Sequence, residues 1–472
     1  MTIHIPENLT SIARVFSDAG VPVYAVGGLV RNTLLGIPPA DVDICSRLTP
    51  EALVALCADT PVRVIPKAAE FGTVELHTAD ACVEHTTFRA ECYQNGGAHR
   101  PDFVEFGGTL EMDAIRRDFS VNALYADLLN GEVRDPTGGL RDLEKGLLRT
   151  TSIKPDDILR SDALRVLRLV RFACQLGFEL DQDTWAAALR NAEQLTQIAV
   201  ERRQAEFNRI LLCDGRYPAL GRDELRSVLR GLRLLDGLNV WHALIPEVAQ
   251  ARGVQQRSNT HRYDVQEHLF HACAAMPPVL TLRLAGLLHD IGKPQCRAEN
   301  GNLYDHDQYS ARITRRILFD LRYPKAICAQ VCKLVREHMF DVQNTAREGT
   351  LRVKFAEWGR DMTRDMICMR EADIIGCGYE PNYVCVRWRT LFEQMQLDGT
   401  PFSENEVTVT GTDIMAELDI SSGKAVGRIK RRLFAHCARH PADNTPECLK
   451  KRMHDYKLMN EEDGTFAKRS GI

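Results

Sequence analysis

Two glycines followed by two aspartates form the first pattern in the sequence that could perform chemistry. Gly27 and Gly28 in VYAVGGLVRNTLLG follow an apolar run and precede a helical pattern, with Arg31 in the first helical turn. Without side chains, the glycines let backbone N–H groups approach a phosphate. Asp41 and Asp43 in ADVDIC would project from the same face of a strand. Carboxylate oxygens suit Mg²⁺, which also binds substrate phosphates, so the combination favours phosphoryl chemistry on a nucleotide.

Each half of this pattern has a structural alternative when it is taken alone. A strand, two glycines and a helix can be a tight turn, and two acids at a strand end can be surface residues. Their occurrence within seventeen residues is what favours the nucleotide site. Glu84 in ACVEHTTFR could supply a third carboxylate, although a single acid in a strand is more often simply exposed.

A second pattern places one acid and three arginines at every third position. Asp162, Arg165, Arg168 and Arg171 in DDILRSDALRVLRLVRFACQLG would form a slowly turning stripe on one side of a helix. Cytosine and adenine both present an amino donor beside a ring-nitrogen acceptor, which a carboxylate and a guanidinium complement. Asp162 and Arg165 could therefore accept CTP and ATP and reject UTP and GTP without a template. The structural alternative is an exposed helix with an ion pair between residues three apart.

The elements that must position these residues have two different periods. Short apolar or alternating runs predict five strands, at VPVYAV, DVDIC, VRVIP, GTVELH and VEHTTF. Thr49 is expected to cap a helix over ALVALCAD, and Asp113 one over AIRRDFSVNALYAD. From about Lys154 the pattern is helical. The fold class is therefore α+β, with an N-terminal head of mixed sheet and helices followed by a mainly α chain.

Composition limits the kinds of protein that remain. A length of 472 residues suggests about three domains, and 44% hydrophobic with 26% charged residues argues against long disorder. The net charge of −4 shows no overall attraction for polyanions, so such a site must be local, as in the basic segment 424–457. Neither an export signal nor a run of apolar residues that could span a membrane is apparent, which predicts a cytoplasmic protein. The fifteen scattered cysteines are expected to be reduced core thiols, with zinc or disulfides as the alternative.

Several segments in order resemble the motifs of class II tRNA nucleotidyltransferases, the family of CCA-adding enzymes and related bacterial poly(A) polymerases. These segments cover roughly residues 20–215 and are GGLVRNTLLG…DVDI, FGTVEL, EHTTFRAECY, RRDFSVNALYAD, DPTGGLRDL, DALRVLRLVRFACQLGF and ERRQAEF. The resemblance implies template-free addition of C, C and A to tRNA from CTP and ATP, with Asp41 and Asp43 holding Mg²⁺. It also implies that Gly28, Arg31 and Arg117 bind the nucleotide together with the residues of the second pattern. Within that pattern, Arg168 and Arg171 would bind the triphosphate.

Two positions depart from the family pattern. Asn32 stands where the family usually has Asp after the arginine, which could soften how Arg31 is oriented. Ser161 stands where the signature around Asp162 and Arg165 is usually acidic, although both of those residues are intact. In RRDF, a structural alternative is that the arginines cover the sheet and Asp118 pairs with them.

A histidine-rich region resembles the metal centre of HD-domain phosphohydrolases. His268, His289, Asp290 and Asp373 match the His…His-Asp…Asp ligand set, and LLHDIGKP is a specific form of its central pair. His306 in YDHDQYS and His338 in REHMF would line the same pocket. Imidazole and carboxylate ligands leave the identity of this second divalent metal open. The alternative is an HD fold kept for packing or RNA contact.

These patterns predict four regions: a nucleotidyltransferase head over 1–150, a helical neck and body over 151–260, an HD domain over 261–380 and a tRNA-binding helical tail over 381–472. Linkers are expected near 137–146, 251–260 and 396–407. The leading hypothesis is CCA addition. The alternatives are an A-adding or CC-adding specialist, a poly(A) polymerase, an HD phosphohydrolase whose head only binds nucleotide, or a non-catalytic RNA-binding protein.

Overall fold

The computed structural model describes residues 1–38, 42–92, 103–217, 224–257, 259–381 and 383–462. The chain divides into two compact units. The first comprises residues 1–250, 278–280 and 317–323, and the second comprises 251–277, 281–316 and the chain from 324 onward. The division after residue 250 falls at the start of the predicted linker over 251–260. The three boundaries between the four predicted regions stay predictions.

The first unit is built on a seven-stranded sheet with the order β3-β4-β5-β2-β1-β8-β9. In this sheet β2 and β5 are parallel, and the other neighbouring strands are antiparallel. Two further pairs, β6 with β7 and β10 with β11, lie outside it. The strands are β1 Tyr24–Val26, β2 Asp43–Ser46, β3 Arg63–Ala68, β4 Thr73–His77, β5 Cys82–Thr87, β6 Arg89–Cys92, β7 Phe103–Phe106, β8 Tyr125–Asp127, β9 Val133–Arg134, β10 Leu147–Leu148 and β11 Glu179–Leu180. The five strands predicted from the sequence are β1 to β5.

Helices cover one face of this sheet. α1 Thr10–Asp18, α2 Gly28–Leu34 and α3 Pro50–Cys57 pack their apolar residues against alternate residues of β4 and β5. Because successive strand residues point to opposite faces, the intervening residues of β4 and β5 lie on the other face and are partly or fully exposed. Thr49 Oγ1 accepts from Ala52 N at 3.3 Å, so it caps α3 as predicted.

Beyond the head, the described residues are mainly helical and contain one strand, the two-residue β11, which confirms the predicted fold class. The remaining helices of the first unit and the connections to the second are α4 Leu110–Ile115, α5 Gly139–Lys145, α6 Pro155–Ser161, α7 Leu164–Leu176, α8 Gln182–Asn191, α9 Val200–Leu211, α10 Glu224–Gly237, α11 Trp241–Leu244 and α12 Pro246–Gln250. They are followed by α13 Val265–Ala275, α14 Leu280–Leu288, α15 Lys293–Asn300, α16 His306–Asp320, α17 Lys325–Glu337, α18 Glu348–Trp358, α19 Arg360–Gly376, α20 Tyr383–Leu397, α21 Gly411–Leu418, α22 Lys424–Arg439 and α23 Pro446–Glu462. None of the helices in the described ranges is long and apolar enough to traverse a bilayer.

Two local predictions are wrong. The expected helix over 114–127 ends at Ile115, and Tyr125–Asp127 is a strand. Thr109 caps α4 instead of Asp113, whose buried carboxylate binds side chains and is not available to a helix end. The linker expected near 137–146 contains α5, which begins after Gly138 and ends before Gly146, both in the left-handed conformation. The glycines that suggested a linker are the two ends of this helix.

Candidate active site and metal centre

The glycine turn lies between β1 and α2, as the sequence indicated. Gly27 follows the last residue of β1 with a φ of 68°, and α2 begins at Gly28. This left-handed conformation favours glycine. Asp43 is the first residue of β2 and is exposed, and its cross-strand partners are Val26 of β1 and Glu84 of β5. Asp43 therefore lies beside the glycine turn, on the face of the sheet opposite α1 to α3.

Glu84 on the neighbouring strand β5 places a second carboxylate beside Asp43. Glu84 is its direct partner in the parallel pair β2 and β5, so both carboxylates belong to the same face. Glu84 Oε2 also accepts from Lys67 Nζ at 2.8 Å, so part of its charge is balanced. Asp41 lies outside the described residues. The carboxylate oxygens of Asp43 and Glu84 are open to solvent, and oxygen ligands of this kind fit a hard divalent cation.

Arg31 is buried and held by three side chains. Asn32 Oδ1 accepts from Arg31 Nη2 at 2.8 Å and from Nε at 3.1 Å, Asn122 Oδ1 accepts from Nη1, and the Tyr217 hydroxyl lies 3.1 Å from Nη2. Burial lowers the pKa of Arg31. Asn32, one of the two departures from the family pattern, therefore still fixes the guanidinium. Tyr217 was missed in the sequence because it lies 186 residues from Arg31.

Arg117 is fixed by a buried acid of the same helical segment. Its Nη2 lies 3.0 Å from Asp113 Oδ2, and its Nε donates to the Tyr125 hydroxyl at 2.9 Å. Burial alone would raise the pKa of Asp113, but Arg117 and Arg116 outweigh burial and lower it to about 2. The alternative in which Asp118 pairs with these arginines is wrong, because Asp118 pairs with Arg168 at 2.6 Å.

The helix predicted over the second pattern is broken at Asp162. α6 ends at Ser161, Asp162 has an extended backbone with φ −149° and ψ 103°, and α7 begins at Leu164. Asp162 Oδ1 accepts from the Leu164 backbone N–H at 3.1 Å. A side-chain oxygen that competes for a backbone donor in this way favours a helix start over a helix interior. Asp162 therefore stands at the junction of the two helices and not on the stripe of one.

Asp162 and Arg165 bind different partners. Asp162 Oδ2 accepts from Arg202 Nη2 at 2.8 Å. Arg165 Nη2 donates to the Arg116 carbonyl at 2.8 Å, and its Nη1 donates to Ser161 Oγ at 3.1 Å. The serine that departs from the family pattern thus helps to hold Arg165. The base-reading role of Asp162 and Arg165 stays a prediction.

Three arginines surround the ring of Phe172. The guanidinium carbons of Arg31, Arg168 and Arg171 lie 5.1, 5.3 and 4.2 Å from the ring centroid. Arg171 Nε lies 2.8 Å from Glu206 Oε2, and burial, opposed by Glu206 and reinforced by nearby arginines, lowers the pKa of Arg171 to about 10. The glycine-turn helix α2 and the arginine helix α7 therefore meet at one aromatic side chain.

A cavity of about 600 Å³ opens beside this cluster. Its basic lining residues are Arg168, Arg171, Arg209 and Arg216. A volume of this size accommodates a small-molecule ligand, and a lining of this charge favours a polyanion. Arg209, Arg216 and the buried acid Glu206 were not assigned from the sequence. Glu206 belongs to the quoted motif ERRQAEF, which was the available signal.

The second unit brings the four HD-type residues together from three places in the chain. His268 lies on α13, His289 and Asp290 follow α14, and Asp373 lies on α19. The Nε2 atoms of His268 and His289 are 2.9 Å apart, and Asp373 Oδ1 is 3.4 and 3.5 Å from them. One ligand atom from each of the four residues lies within 4.8 Å of the others. This nitrogen and oxygen set fits a divalent transition metal.

The backbone fixes which nitrogen each imidazole turns inward. The Nδ1 atoms of His289, His306 and His338 lie 2.9, 2.7 and 2.7 Å from the carbonyl oxygens three residues earlier, to which a protonated Nδ1 would donate. Such a bond leaves Nε2 as the bare nitrogen that a metal requires. His306 and His338 form a second group with Asp290, whose Oδ1 is 2.9 and 3.5 Å from their Nε2 atoms. Both histidines therefore line the pocket, as predicted.

Asp290 is shared between the two groups and has a cation beside it. Burial would raise the pKa of Asp290, but Lys293 and His289 outweigh burial and hold it well below its usual range. Lys293 Nζ pairs with Asp290 Oδ2 and also donates to Gln256 Oε1 at 2.6 Å. The carboxylate is therefore ionised and available as a ligand.

Comparison with protein families assigns the parts of the chain. Residues 23–149 match the Poly A polymerase head domain, residues 177–252 match the probable RNA- and SrmB-binding site of polymerase A, and residues 260–376 match the HD domain. The residues described above for the glycine turn lie in the first match, and the histidine cluster lies in the third. The resemblance stated from the sequence is confirmed at the level of these domains.

Individual proteins give the same assignment. The CCA-adding enzyme of Ligilactobacillus salivarius is 41% identical over 208 residues, which are 44% of this chain and 49% of that protein. The CCA-adding enzyme of Leuconostoc mesenteroides is 38% identical over 234 residues, 49% of this chain and 56% of that protein. These alignments thus span about half the length of the curated relatives.

Solved structures share the fold over nearly the whole chain. The CCA-adding enzyme of Bacillus stearothermophilus in complex with CTP has a TM-score of 0.67 at 22% identity and covers 97% of this chain and 100% of that chain. A tRNA nucleotidyltransferase complexed with a primer tRNA and an incoming ATP analog has a TM-score of 0.51 at 20% identity and covers 82% of this chain and 98% of that chain.

Proposed function

We propose that this chain, which carries the head, RNA-binding and HD domains matched above, is a class II tRNA nucleotidyltransferase that adds C, C and A to the 3′ end of tRNA from CTP and ATP. The observation that carries the proposal is the meeting of α2 and α7 at Phe172, where Arg31, Arg168 and Arg171 converge beside a basic cavity. A triphosphate supplies the negative charge that this cluster of cations favours. The CCA-adding relatives support the choice of reaction.

The proposed reaction is attack of the tRNA 3′-hydroxyl oxygen on the α-phosphorus of the nucleoside triphosphate. A new P–O bond forms, the hydroxyl proton passes to solvent, the bond from the α-phosphorus to the oxygen of the β-phosphate breaks, and pyrophosphate leaves. Asp41 and Asp43 would hold Mg²⁺, which neutralises charge on the reacting phosphate and lowers the pKa of the attacking hydroxyl. Arg168 and Arg171 would bind the phosphates, and Arg31 and Arg117 would support the nucleotide from the head.

Selection of the base is proposed to depend on Asp162 and Arg165. In the structure both side chains are bound to protein groups, Asp162 to Arg202 and Arg165 to the Arg116 carbonyl. A base that takes these positions has to exchange those contacts for its own amino and ring-nitrogen groups. UTP and GTP would present a carbonyl where the carboxylate needs a donor, and this mismatch is disfavoured.

The tRNA is proposed to contact the basic surface of α22. Lys424, Arg428, Arg431 and Arg432 are exposed on this helix. Contacts to phosphates position an RNA without reading its sequence. This local surface accounts for RNA binding by a chain whose net charge is −4.

The direct experiment incubates the full chain with tRNA that lacks CCA, Mg²⁺ and each nucleoside triphosphate singly or in pairs, and sequences the products. CTP and ATP together are expected to yield CCA, and UTP and GTP are expected to yield no addition. Products ending in CC alone, in A alone or in long A tracts would replace the proposal with the CC-adding, A-adding or poly(A) alternative. Absence of any addition would overturn it.

A second proposed function is metal-dependent phosphohydrolysis at the HD centre. The inward Nε2 atoms and the ionised Asp290 support it, because they belong to a ligand set of four histidines and two aspartates in which Asp290 is shared between two groups. The test measures hydrolysis of p-nitrophenyl phosphate and bis-p-nitrophenyl phosphate by the full chain with Mn²⁺, Ni²⁺, Zn²⁺ or Mg²⁺. No hydrolysis with any of these metals would favour the structural alternative for the HD fold.

A further inference from the structure

A cysteine, a histidine and a glutamate lie together on the face of the head sheet opposite α1 to α3, where β4 and β5 are partly exposed. Glu75 and His77 are two residues apart in β4, and Cys82 is the cross-strand partner of His77 in β5. Residues two apart in a strand and direct cross-strand partners share one face. Glu75 is the cross-strand partner of Glu84 and shares Lys67 with it, so this group adjoins the first site. Neither proposed reaction uses Glu75, His77 or Cys82.

A short hairpin holds two of these side chains opposite each other. His77 ends β4 and Cys82 begins β5, so four residues connect them. Thr78 N donates to the Ala81 carbonyl at 2.8 Å, and Thr78 Oγ1 accepts from Ala81 N at 3.0 Å. The turn therefore fixes the spacing of His77 and Cys82 through the backbone.

The distances between the three ligand atoms suit a tetrahedral cation. Cys82 Sγ lies 3.2 Å from His77 Nε2 and 3.9 Å from Glu75 Oε2, and Nε2 lies 3.0 Å from Oε2. Ligands around tetrahedral zinc are separated by roughly 3.3 to 3.6 Å, given Zn–S of about 2.3 Å and Zn–N or Zn–O of about 2.1 Å. Adjustments of a few tenths of an ångström therefore convert the observed triangle into three corners of a zinc site.

The other oxygen of Glu75 has its own partner. Lys67 Nζ lies 3.1 Å from Glu75 Oε1 and leaves Oε2 directed at the histidine and the cysteine. His77 and Cys82 are accessible, so a cation can enter from solvent. A thiolate with an imidazole and one carboxylate selects a soft divalent cation over Mg²⁺.

We propose that Glu75, His77 and Cys82 form a zinc site with three protein ligands and a fourth position occupied by water. On binding, the Cys82 thiol loses its proton to solvent and a sulfur–metal bond forms. This is a different kind of centre from the HD cluster, because its ligands include a thiolate and it lies at the head surface.

The test uses Co²⁺ as a spectroscopic substitute for zinc in the full chain. A cobalt–thiolate bond gives a sulfur-to-metal charge-transfer band in the near ultraviolet, which histidine and carboxylate ligands do not produce. The wild type is expected to show this band and to lose it when Zn²⁺ is added in equal amount. Cys82→Ser and His77→Ala are expected to lose the band and one equivalent of bound metal.

Two cysteine controls assign the band. Cys448→Ser removes another exposed thiol, and Cys377→Ser removes the cysteine that lies near His261 and His268 in the second unit. Both are expected to keep the band. A wild type without the band, or a band that persists in Cys82→Ser, would overturn the proposal and leave Cys82 as a thiol that hydrogen-bonds to its neighbours.

Discussion

The two candidate sites of this chain position their side chains in opposite ways. In the first unit, arginines also bind side chains far away in sequence: Arg168 binds Asp118 across 50 residues, and Arg31 binds Asn122 across 91 in addition to the adjacent Asn32. In the HD centre, His289, His306 and His338 are each oriented by a carbonyl three residues earlier. The first site thus depends on the tertiary fold of its unit, and the second depends on local helix ends that converge.

This difference has a chemical reason. A metal centre needs each ligand nitrogen aimed within a narrow range, and a backbone carbonyl supplies that direction at little entropic cost. A triphosphate site needs many cations close together, and they remain stable only when buried acids such as Asp118 and Glu206 balance part of their charge. The HD centre therefore depends on the orientation of its ligand nitrogens, and the arginine site depends on the balance of its charges.

The largest expected effect separates the two sites by removing a carboxylate from the head. Asp43→Asn is expected to reduce nucleotide addition by on the order of 100-fold or more, because the amide is a poorer metal ligand, and to leave tRNA affinity within a few-fold. Primer extension with CTP and ATP and a filter-binding assay measure the two quantities. Asp59→Asn, an exposed acid elsewhere in the head, is the matched control. Residual addition above about a tenth of wild type would contradict the metal assignment.

The reverse experiment removes the central pair of the HD centre. His289→Ala with Asp290→Ala is expected to abolish metal-dependent phosphate ester hydrolysis and to leave nucleotide addition within about twofold, since the ligands belong to the second unit. Hydrolysis, addition and bound metal are measured on the same preparation. Equal loss of both activities would show that the HD centre is needed for the structure of the head.

Asp113 is a buried acid that balances arginine charge in the head, and Arg117 and Arg116 lower its pKa to about 2 against the effect of burial. A depressed pKa means that Asp113 stabilises the fold above its unfolded pKa and that this contribution is lost as pH falls toward 2. The shift corresponds to about 2 kcal/mol at pH 7. Asp113→Asn is expected to lose at least that much free energy of unfolding at pH 7 and about half as much at pH 3. Urea titrations at the two pH values measure it, and a difference that does not shrink would refute the assignment.

A smaller effect is expected at the junction of α6 and α7. Asp162→Ala removes the proposed acceptor for the amino group of cytosine or adenine, so discrimination against UTP and GTP is expected to fall about tenfold or more. Single-nucleotide incorporation with all four triphosphates at fixed salt measures it. Arg431→Ala with Arg432→Ala on α22 is the control, which is expected to weaken tRNA binding and its salt dependence without changing nucleotide choice. Unchanged discrimination in Asp162→Ala would remove base reading from this junction.

The smallest effect concerns Ser161. Ser161→Ala deletes one acceptor for Arg165 Nη1 but leaves the bond from Nη2 to the Arg116 carbonyl. The expected rise in KM for CTP and ATP is about two- to fivefold, as for one neutral acceptor. Ser161→Glu, the residue type usual in the family, is expected to restore or improve the wild-type value. A larger loss in Ser161→Ala than in Asp162→Ala would reverse the assigned order of importance.

The sequence predicted the parts of the fold that local periodicity controls. β1 to β5, the capped helix α3 and the change to a helical chain near residue 154 all follow from alternation, apolar spacing and capping residues. The residues of the HD cluster were also found, because its motifs carry the ligands themselves. The helix expected over 114–127 was wrong because the buried Asp113 pairs with Arg116 and Arg117, a role that the local pattern does not reveal.

The charged site was less accessible to sequence reasoning. Tyr217 beside Arg31, Asp118 beside Arg168 and Glu206 beside Arg171 are all long-range partners that only the folded chain identifies. The stripe of Asp162 and three arginines was expected on one helix, and the break before α7 assigns Asp162 to a different environment. Tertiary contacts decided these features and overrode the helical spacing.

The ring of Phe172 has a consequence for how ligand binding and folding are linked. It holds three guanidinium groups within 5.3 Å of its centroid, although their mutual repulsion disfavours such crowding. Any polyanion that binds only the folded state and relieves this repulsion must raise the melting temperature by mass action. A nucleotide that binds these arginines is therefore expected to raise the melting temperature, and the thermal shift should increase in the order of ligand charge, from monophosphate to triphosphate.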